Sequence, residues 1–194
     1  MLVTDDRLVE GRDLVALAQA AERGGATSIQ LRLKLATPRE QADRARALVA
    51  ALRIPVLVND RPDIALAAGA TGVHLGPDDL PVALARQLVP PGFIIGASVG
   101  SADEADAAAG ADYWGIGPWR VTETKGDAGE ALGPAGFRRL VGLAAGKPCI
   151  AIGGVTAEDV PPVIAAGGAG VAVVSGILGE VDVERASRRF YTSR

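Results

Sequence analysis

Cysteine and histidine each occur once in this 194-residue chain, and aromatic residues make up only 4% of it. The single cysteine, Cys149, excludes an intrachain disulfide and any cysteine-built metal cage. The single histidine, His74, sits inside an expected strand without an obvious partner along the sequence, so no Ser–His–Asp arrangement is read from it. Long apolar runs are missing as well: none approaches the roughly 20 residues that span a bilayer. A net charge of −3 gives no basic surface for nucleic acid. The opening stretch Met1-Leu2-Val3-Thr4-Asp5-Asp6 has neither a basic n-region nor an apolar h-region. The expectation from these absences is a cytoplasmic protein without membrane or nucleic-acid partners.

What the chain does have is a repeated unit. Four times an alanine-rich stretch runs through a Gly-Ala turn into a short apolar strand: at Gly25-Ala26, Gly69-Ala70, Gly110-Ala111 and Gly168-Ala169. A helix, a glycine stop and a strand buried on both faces form the unit of a parallel α/β sheet. Eight strands are expected, near Leu2–Thr4, Ser28–Leu31, Val56–Val58, Gly72–Leu75, Ile94–Ala97, Tyr113–Ile116, Cys149–Ile152 and Val171–Val174. Alanine-rich helices are expected over Asp13–Arg23, Pro38–Arg53, Pro81–Leu88, Ala102–Ala109, Pro134–Ala144 and Thr156–Ala166, with caps at Thr37, Ser101 and Thr156. Eight such units close into a compact (β/α)8 barrel, one domain over residues 1–194, with its site at the C-terminal ends of the strands. A doubly wound open sheet is the competing arrangement. One connection stands out: residues 117–133 are long, polar and glycine-rich where the other loops are tight, which favours a lid over substrate, with a loose surface loop as the alternative.

The residues after the strands carry the chemistry. Gln30, Arg32 and Lys34 alternate with Leu31 and Leu33, so in an extended segment the three polar side chains share a face. Arg offers a planar fork to paired phosphate oxygens and Lys a point charge. A solvated edge strand would show the same alternation. Asn59-Asp60 and Asp78-Asp79 follow consecutive strands, and two such carboxylates suit Mg2+ with water and phosphate oxygens; they equally suit a turn or a helix cap. Gly153-Gly154 and Val174-Ser175-Gly176 end the last two strands, where barrels frequently hold phosphate. His74 is expected to support the core or a site residue rather than to catalyse, and Cys149 to be a buried small hydrophobe. Trp119 either covers a heteroaromatic ring or pins its loop.

Taken in order along the chain, several runs resemble the thiamine-phosphate synthase family. They are Gln30-Leu31-Arg32-Leu33-Lys34, Val58-Asn59-Asp60-Arg61, Gly72-Val73-His74-Leu75-Gly76, Asp79-Leu80, Gly96-Ala97-Ser98-Val99, Gly115-Ile116-Gly117-Pro118, Thr122-Glu123-Thr124-Lys125, Ile152-Gly153-Gly154-Val155-Thr156 and Val173-Val174-Ser175. The resemblance implies a (β/α)8 barrel that joins a pyrimidine-methyl diphosphate to a thiazole phosphate with Mg2+, releasing pyrophosphate. It implies that Gln30, Arg32, Lys34, Asn59, Ser98 and Lys125 hold the diphosphate, with Leu31 and Leu33 in the same run. It places Mg2+ on Asp60 and Asp79, and the thiazole phosphate on Thr122, Thr124 (Glu123 between them), Gly154, Val174 and Ser175. Arg32, Lys34, Ser98 and Lys125 would act on the reacting groups. Three positions depart from the family pattern: Leu33 stands where Glu is usual, Pro77 where Gln is usual, and Gly100 where many relatives carry His. A thiazole tautomerase branch shares the barrel and uses that histidine. A phosphate-binding homologue without turnover is a further alternative, and an apolar helix face would permit a homodimer.

Overall fold

Among the described residues every strand is parallel to its neighbours. The computed structural model describes residues 1–121 and 130–192. Strands β1 (Leu2–Val3), β2 (Ile29–Leu31), β3 (Val56–Asn59), β4 (Gly72–Leu75), β5 (Ile94–Val99), β6 (Tyr113–Ile116), β7 (Cys149–Ile152) and β8 (Gly170–Ala172) pair in chain order. The sheet closes on itself: Val3 N donates to Val173 O at 2.9 Å, and Val173 N to Met1 O at 3.1 Å. The eight-unit barrel expected from the repeat is therefore the fold, and the open sheet is not.

Helices α1 (Asp6–Val9), α2 (Leu14–Arg23), α3 (Pro38–Ala51), α4 (Pro62–Ala68), α5 (Val82–Leu88), α6 (Ala102–Ala107), α7 (Gly133–Leu143), α8 (Val160–Ala165), α9 (Ser175–Leu178) and α10 (Val183–Thr192) surround it, with a 3-10 turn at Ala157–Asp159. The expected caps hold two of them. Thr37 and Glu40 form a reciprocal capping box at α3, and Ser101 accepts from Glu104 N at 3.2 Å at α6. Thr156 is the N-cap of the 3-10 turn in a capping box with Asp159, whose carboxylate accepts from the Thr156 backbone N and hydroxyl at 2.8 and 2.9 Å. The helix α4 is the alanine-rich stretch that the repeat ends at Gly69, its left-handed C-cap, while α1, α9 and α10 have no counterpart in the sequence reading. Among the described residues no helix is long and apolar enough to cross a membrane.

Register and one indole decide which side chains face the barrel axis. Trp114 is buried and donates from Nε1 to Ala108 O at 3.0 Å, just past α6, so it faces the helices. Its neighbours Tyr113 and Gly115 therefore face the interior, because strand side chains alternate. In-register partners share a face, so Tyr113 brings Gly96, His74 and Asn59 inside with it, and Gly115 brings Ser98. Gln30 then faces inward through Leu57, two residues before Asn59. Asn59, His74 and Ser98 lie in the C-terminal halves of their strands, whereas Tyr113 opens β6 and reaches up to His74 from below.

Candidate functional site

Gln30 is the one polar member of the Gln30–Lys34 run that lies within β2. It is 3% exposed, and its Nε2 donates to Asn59 Oδ1 at 2.7 Å, which ties the ends of β2 and β3 together inside the mouth. The expected shared strand face does not extend to Arg32 and Lys34, because β2 ends at Leu31. The backbone there is held by side chains instead. Thr4, fully buried, donates to Arg32 O at 3.1 Å and accepts from Arg32 N at 2.8 Å, while Asp6 accepts from Lys34 N and Leu35 N at 2.8 and 3.1 Å. The guanidinium of Arg32 stands 3.8 Å from Asp5, and Lys34 Nζ stands 3.4 Å from Asp60 Oδ2. Leu31 and Leu33 are buried in the core between these polar residues, so the departure at Leu33 is a packing residue.

Asp60 sits in the left-handed region, φ 64°, a conformation that Asp reaches more readily than most residues. Burial, reinforced by the hydrogen-bonded and negatively charged Asp79, pushes its carboxyl up to about 6 against the pull of Lys34. Asp79 does not cap α5, whose N-cap is Pro81; its Oδ2 accepts from Gly76 N at 2.6 Å and fixes the turn after β4. Two carboxylates facing each other with one lysine alongside are short of positive charge. Among the described residues no three His, Cys, Asp or Glu side chains cluster as a metal site. Mg2+ does not need three: it typically takes one or two carboxylates, keeps several waters and accepts substrate phosphate oxygens. The pair Asp60 and Asp79 fits that donor set.

Deeper in the barrel His74 meets two hydroxyls. Its Nδ1 lies 2.8 Å from Tyr113 Oη and its Nε2 3.0 Å from Ser98 Oγ. The histidine that has no obvious partner along the sequence thus contacts a residue expected to bind substrate. The signal for it was indirect, in the glycines of the flanking strands. A Cβ at Gly96 would lie 2.2 Å from the Tyr113 ring, and one at Gly115 3.1 Å from His74 Cε1.

Across the mouth, Gly153 and Gly154 have φ values of 91° and 65°, and Cβ atoms there would meet Pro118 and Arg120 at 2.9 and 3.0 Å. Gly154 and Ser175 are exposed and Val174 is half-buried, with Ser175 opening α9. The expected lid, residues 117–133, is described only at its two flanks. Thr122, Glu123, Thr124 and Lys125 lie outside the described residues. The flanks pair with each other: Leu132 N donates to Pro118 O at 2.9 Å and Gly133 N to Trp119 O at 3.2 Å. Trp119 is 3% exposed and packs edge-on against Phe137 at 5.5 Å, so it pins this connection. Asp159 joins the connection to the turn after β7. It takes both nitrogens of the Arg120 fork, one at 2.6 Å, together with the Thr156 backbone, the Thr156 hydroxyl and the Trp119 side chain. Burial would raise its carboxyl, but these donors and the Arg120 charge hold it below the usual carboxylate range.

Comparison with known proteins identifies the family and agrees with the fold. Residues 1–177 match the thiamine monophosphate synthase family. The thiamine-phosphate synthase of Methanoculleus marisnigri is 48% identical over 192 residues, covering 96% of this chain and 90% of that protein. The thiamine-phosphate synthase of Azorhizobium caulinodans is 47% identical over 196 residues, covering 98% and 92%. Among solved structures, thiamine phosphate pyrophosphorylase from Pyrococcus furiosus superposes with a TM-score of 0.88 at 36% identity, covering 99% of this chain and 93% of that one. A 3-hexulose-6-phosphate synthase, with a TM-score of 0.65 at 19% identity, shares the barrel.

Proposed function

This chain belongs to the thiamine monophosphate synthase family, and we propose that it is a transferase joining a pyrimidine-methyl diphosphate to a thiazole phosphate, with release of pyrophosphate and formation of thiamine phosphate. The observation that carries the reading is the ring of phosphate- and cation-directed groups at the mouth. Lys34, Asp60 and Asp79 meet there after β2, β3 and β4, Arg32 stands beside Asp5 on the same β2 end, and Gln30, Asn59 and Ser98 lie just inside.

The reaction divides into departure of pyrophosphate and capture of the pyrimidine methylene by the thiazole nitrogen. Departure concentrates negative charge on the leaving oxygens, where fixed cations and hydrogen-bond donors act most strongly. Arg32 and Lys34 stand ready for it, their backbone positions set by Thr4 and Asp6. Mg2+, when bound by Asp60 and Asp79, supplies further neutralisation of the diphosphate. The pyrimidine ring can carry a methylene cation, so Gln30 and Asn59 need only hold the substrate in register. The thiazole nitrogen attacks without losing a proton, and no general base is required. Its phosphate is assigned to the exposed backbone around Gly154, Val174 and Ser175 together with Thr122 and Thr124, and Lys125 to the diphosphate. Residues 117–133 would exclude water during the step, since water would capture the cation first. The tautomerase alternative finds little room. Where that branch carries histidine this chain has Gly100, whose N donates to Glu104 at 2.6 Å and whose added Cβ would meet Gly117 O at 3.1 Å.

The test is pyrophosphate release on mixing the protein with both phosphorylated substrates, with and without Mg2+. Metal-dependent release matched by thiamine phosphate is expected. Folded protein that binds the thiazole phosphate without releasing pyrophosphate would overturn the reading. Arg32→Ala should lower kcat by about 10²-fold, the scale for removing one charge-stabilising donor, while leaving the melting temperature little changed.

A further inference from the structure

Resting on that reading, we propose that Tyr113 and His74 are positioning residues which orient the Ser98 hydroxyl so that its proton points at the substrate. The three form one chain across the barrel interior, Tyr113 Oη to His74 Nδ1 at 2.8 Å and His74 Nε2 to Ser98 Oγ at 3.0 Å. Such a chain can run in either direction, and Tyr113 decides which. Tyr113 is half-buried, its hydroxyl lies over Gly96 against the imidazole, burial keeps the phenol protonated, and His74 is the hydrogen-bond partner of that hydroxyl among the described residues. Were Tyr113 to accept from Nδ1–H, its own proton would be left without an acceptor among the described residues, which is unfavourable for a group withdrawn from water. Tyr113 therefore donates to Nδ1. The neutral ring then carries its proton on Nε2, and Nε2–H donates to Ser98. A hydroxyl that accepts from below has its O–H free to donate above, and Ser98 lies near the C-terminal end of β5, half-buried and open to the mouth. An anionic diphosphate there receives a donor rather than a lone pair.

Space for this chain comes from two bare positions. Gly96 lies in register between His74 and Tyr113, and the bond between those side chains passes over it. A Cβ there would overlap the tyrosine ring at 2.2 Å. Gly115, beside Ser98 in register, leaves the room that the imidazole edge occupies.

Because the chain contains one histidine, the arrangement can be read directly from the nitrogen resonances of 15N-histidine-labelled protein at pH 7, before any assay. The Nε2–H tautomer is expected, and Y113F should mix it with the Nδ1–H form. A wild-type Nδ1–H tautomer or an imidazolium would overturn the proposal, whether or not the protein makes thiamine phosphate. In the assay, Y113F should lower kcat about 3- to 10-fold, the size of one hydrogen bond, with KM and melting temperature little changed. Placed in the S98A background, Y113F should have no further effect on kcat. An equal loss in both backgrounds would mean that Tyr113 acts through something other than Ser98. H74Q, whose amide nitrogen can stand in for Nε2–H, should keep more activity than H74N. The reverse order would also count against the proposal. Failure of wild-type turnover alone would overturn the synthase reading and leave the tautomer result to judge the relay.

Discussion

Asp60→Asn should leave a protein that is almost inactive and, without metal above pH 6, more stable than the wild type. The two effects share one cause. The Asp60 carboxyl titrates near 6 rather than 3.8, chiefly because it is buried and secondly because Asp79 faces it. A carboxylate with a raised folded value stabilises the fold fully only below its unfolded value, and that contribution is withdrawn as the pH rises through about 6. At pH 7 the ionised group is therefore a net cost, at most ~3 kcal/mol from the difference in titration and about 1 kcal/mol after allowance for solvent access to the pair. Asparagine removes the charge and tolerates the left-handed backbone at φ 64°, where alanine would add strain of about 1 kcal/mol. The melting temperature of the metal-free variant should rise by about 2–4 °C at pH 7, and the advantage should vanish by pH 4.

Activity should move the other way. Asparagine cannot supply the second charge of the Asp60 and Asp79 pair, so turnover should fall by about 10²–10³-fold. Mg2+ should raise the melting temperature of the wild type and not of the variant. Thermal melts across pH 4–8, with and without Mg2+, read all three expectations together. A variant with normal turnover would remove Asp60 from the machinery. A variant destabilised at pH 7 would show that the carboxylate is supported by its neighbours rather than opposed by them.

The second large effect is on stability. Trp119→Ala should cost about 3–5 kcal/mol, the range for deleting a buried indole. Trp119 fills space against Phe137, itself fully buried, and its backbone joins Ile152 O at 2.8 Å on one side and Gly133 N on the other. Its side chain is also one of the groups that hold Asp159 ionised. Trp119→Phe retains most of the packing and loses that donor, so its penalty should be about 1 kcal/mol. Urea unfolding of the two variants separates packing from hydrogen bonding. A loss below about 1 kcal/mol for Trp119→Ala would mean that the indole is not a structural pin, and would return it to the list of substrate contacts.

These expectations divide according to what a linear sequence can carry. The repeat of helix, Gly-Ala turn and apolar strand is local, and local pattern sufficed for eight strands and most of the long helices. The amphipathic α10 was missed because nothing like the repeat marks it, and the four-residue α1 and α9 are too short to show helical periodicity. The positions of Arg32, Lys34, Asp60 and Asp79 just after strands were also legible, since a barrel gathers every strand end at one mouth. Which of these side chains touch was settled only by register and closure. Asp5 and Asp6 come to the Gln30–Lys34 run because the first strand pairs with the second, and Asp60 meets Asp79 because consecutive strand ends curve toward one another. The same holds for His74. Along the chain it is a lone imidazole, and its partners stand 24 and 39 residues away. A hydrogen bond between residues so distant leaves no periodicity to read; the barrel brings them together because His74, Gly96 and Tyr113 share one register, and the missing Cβ at Gly96 lets the outer two reach each other.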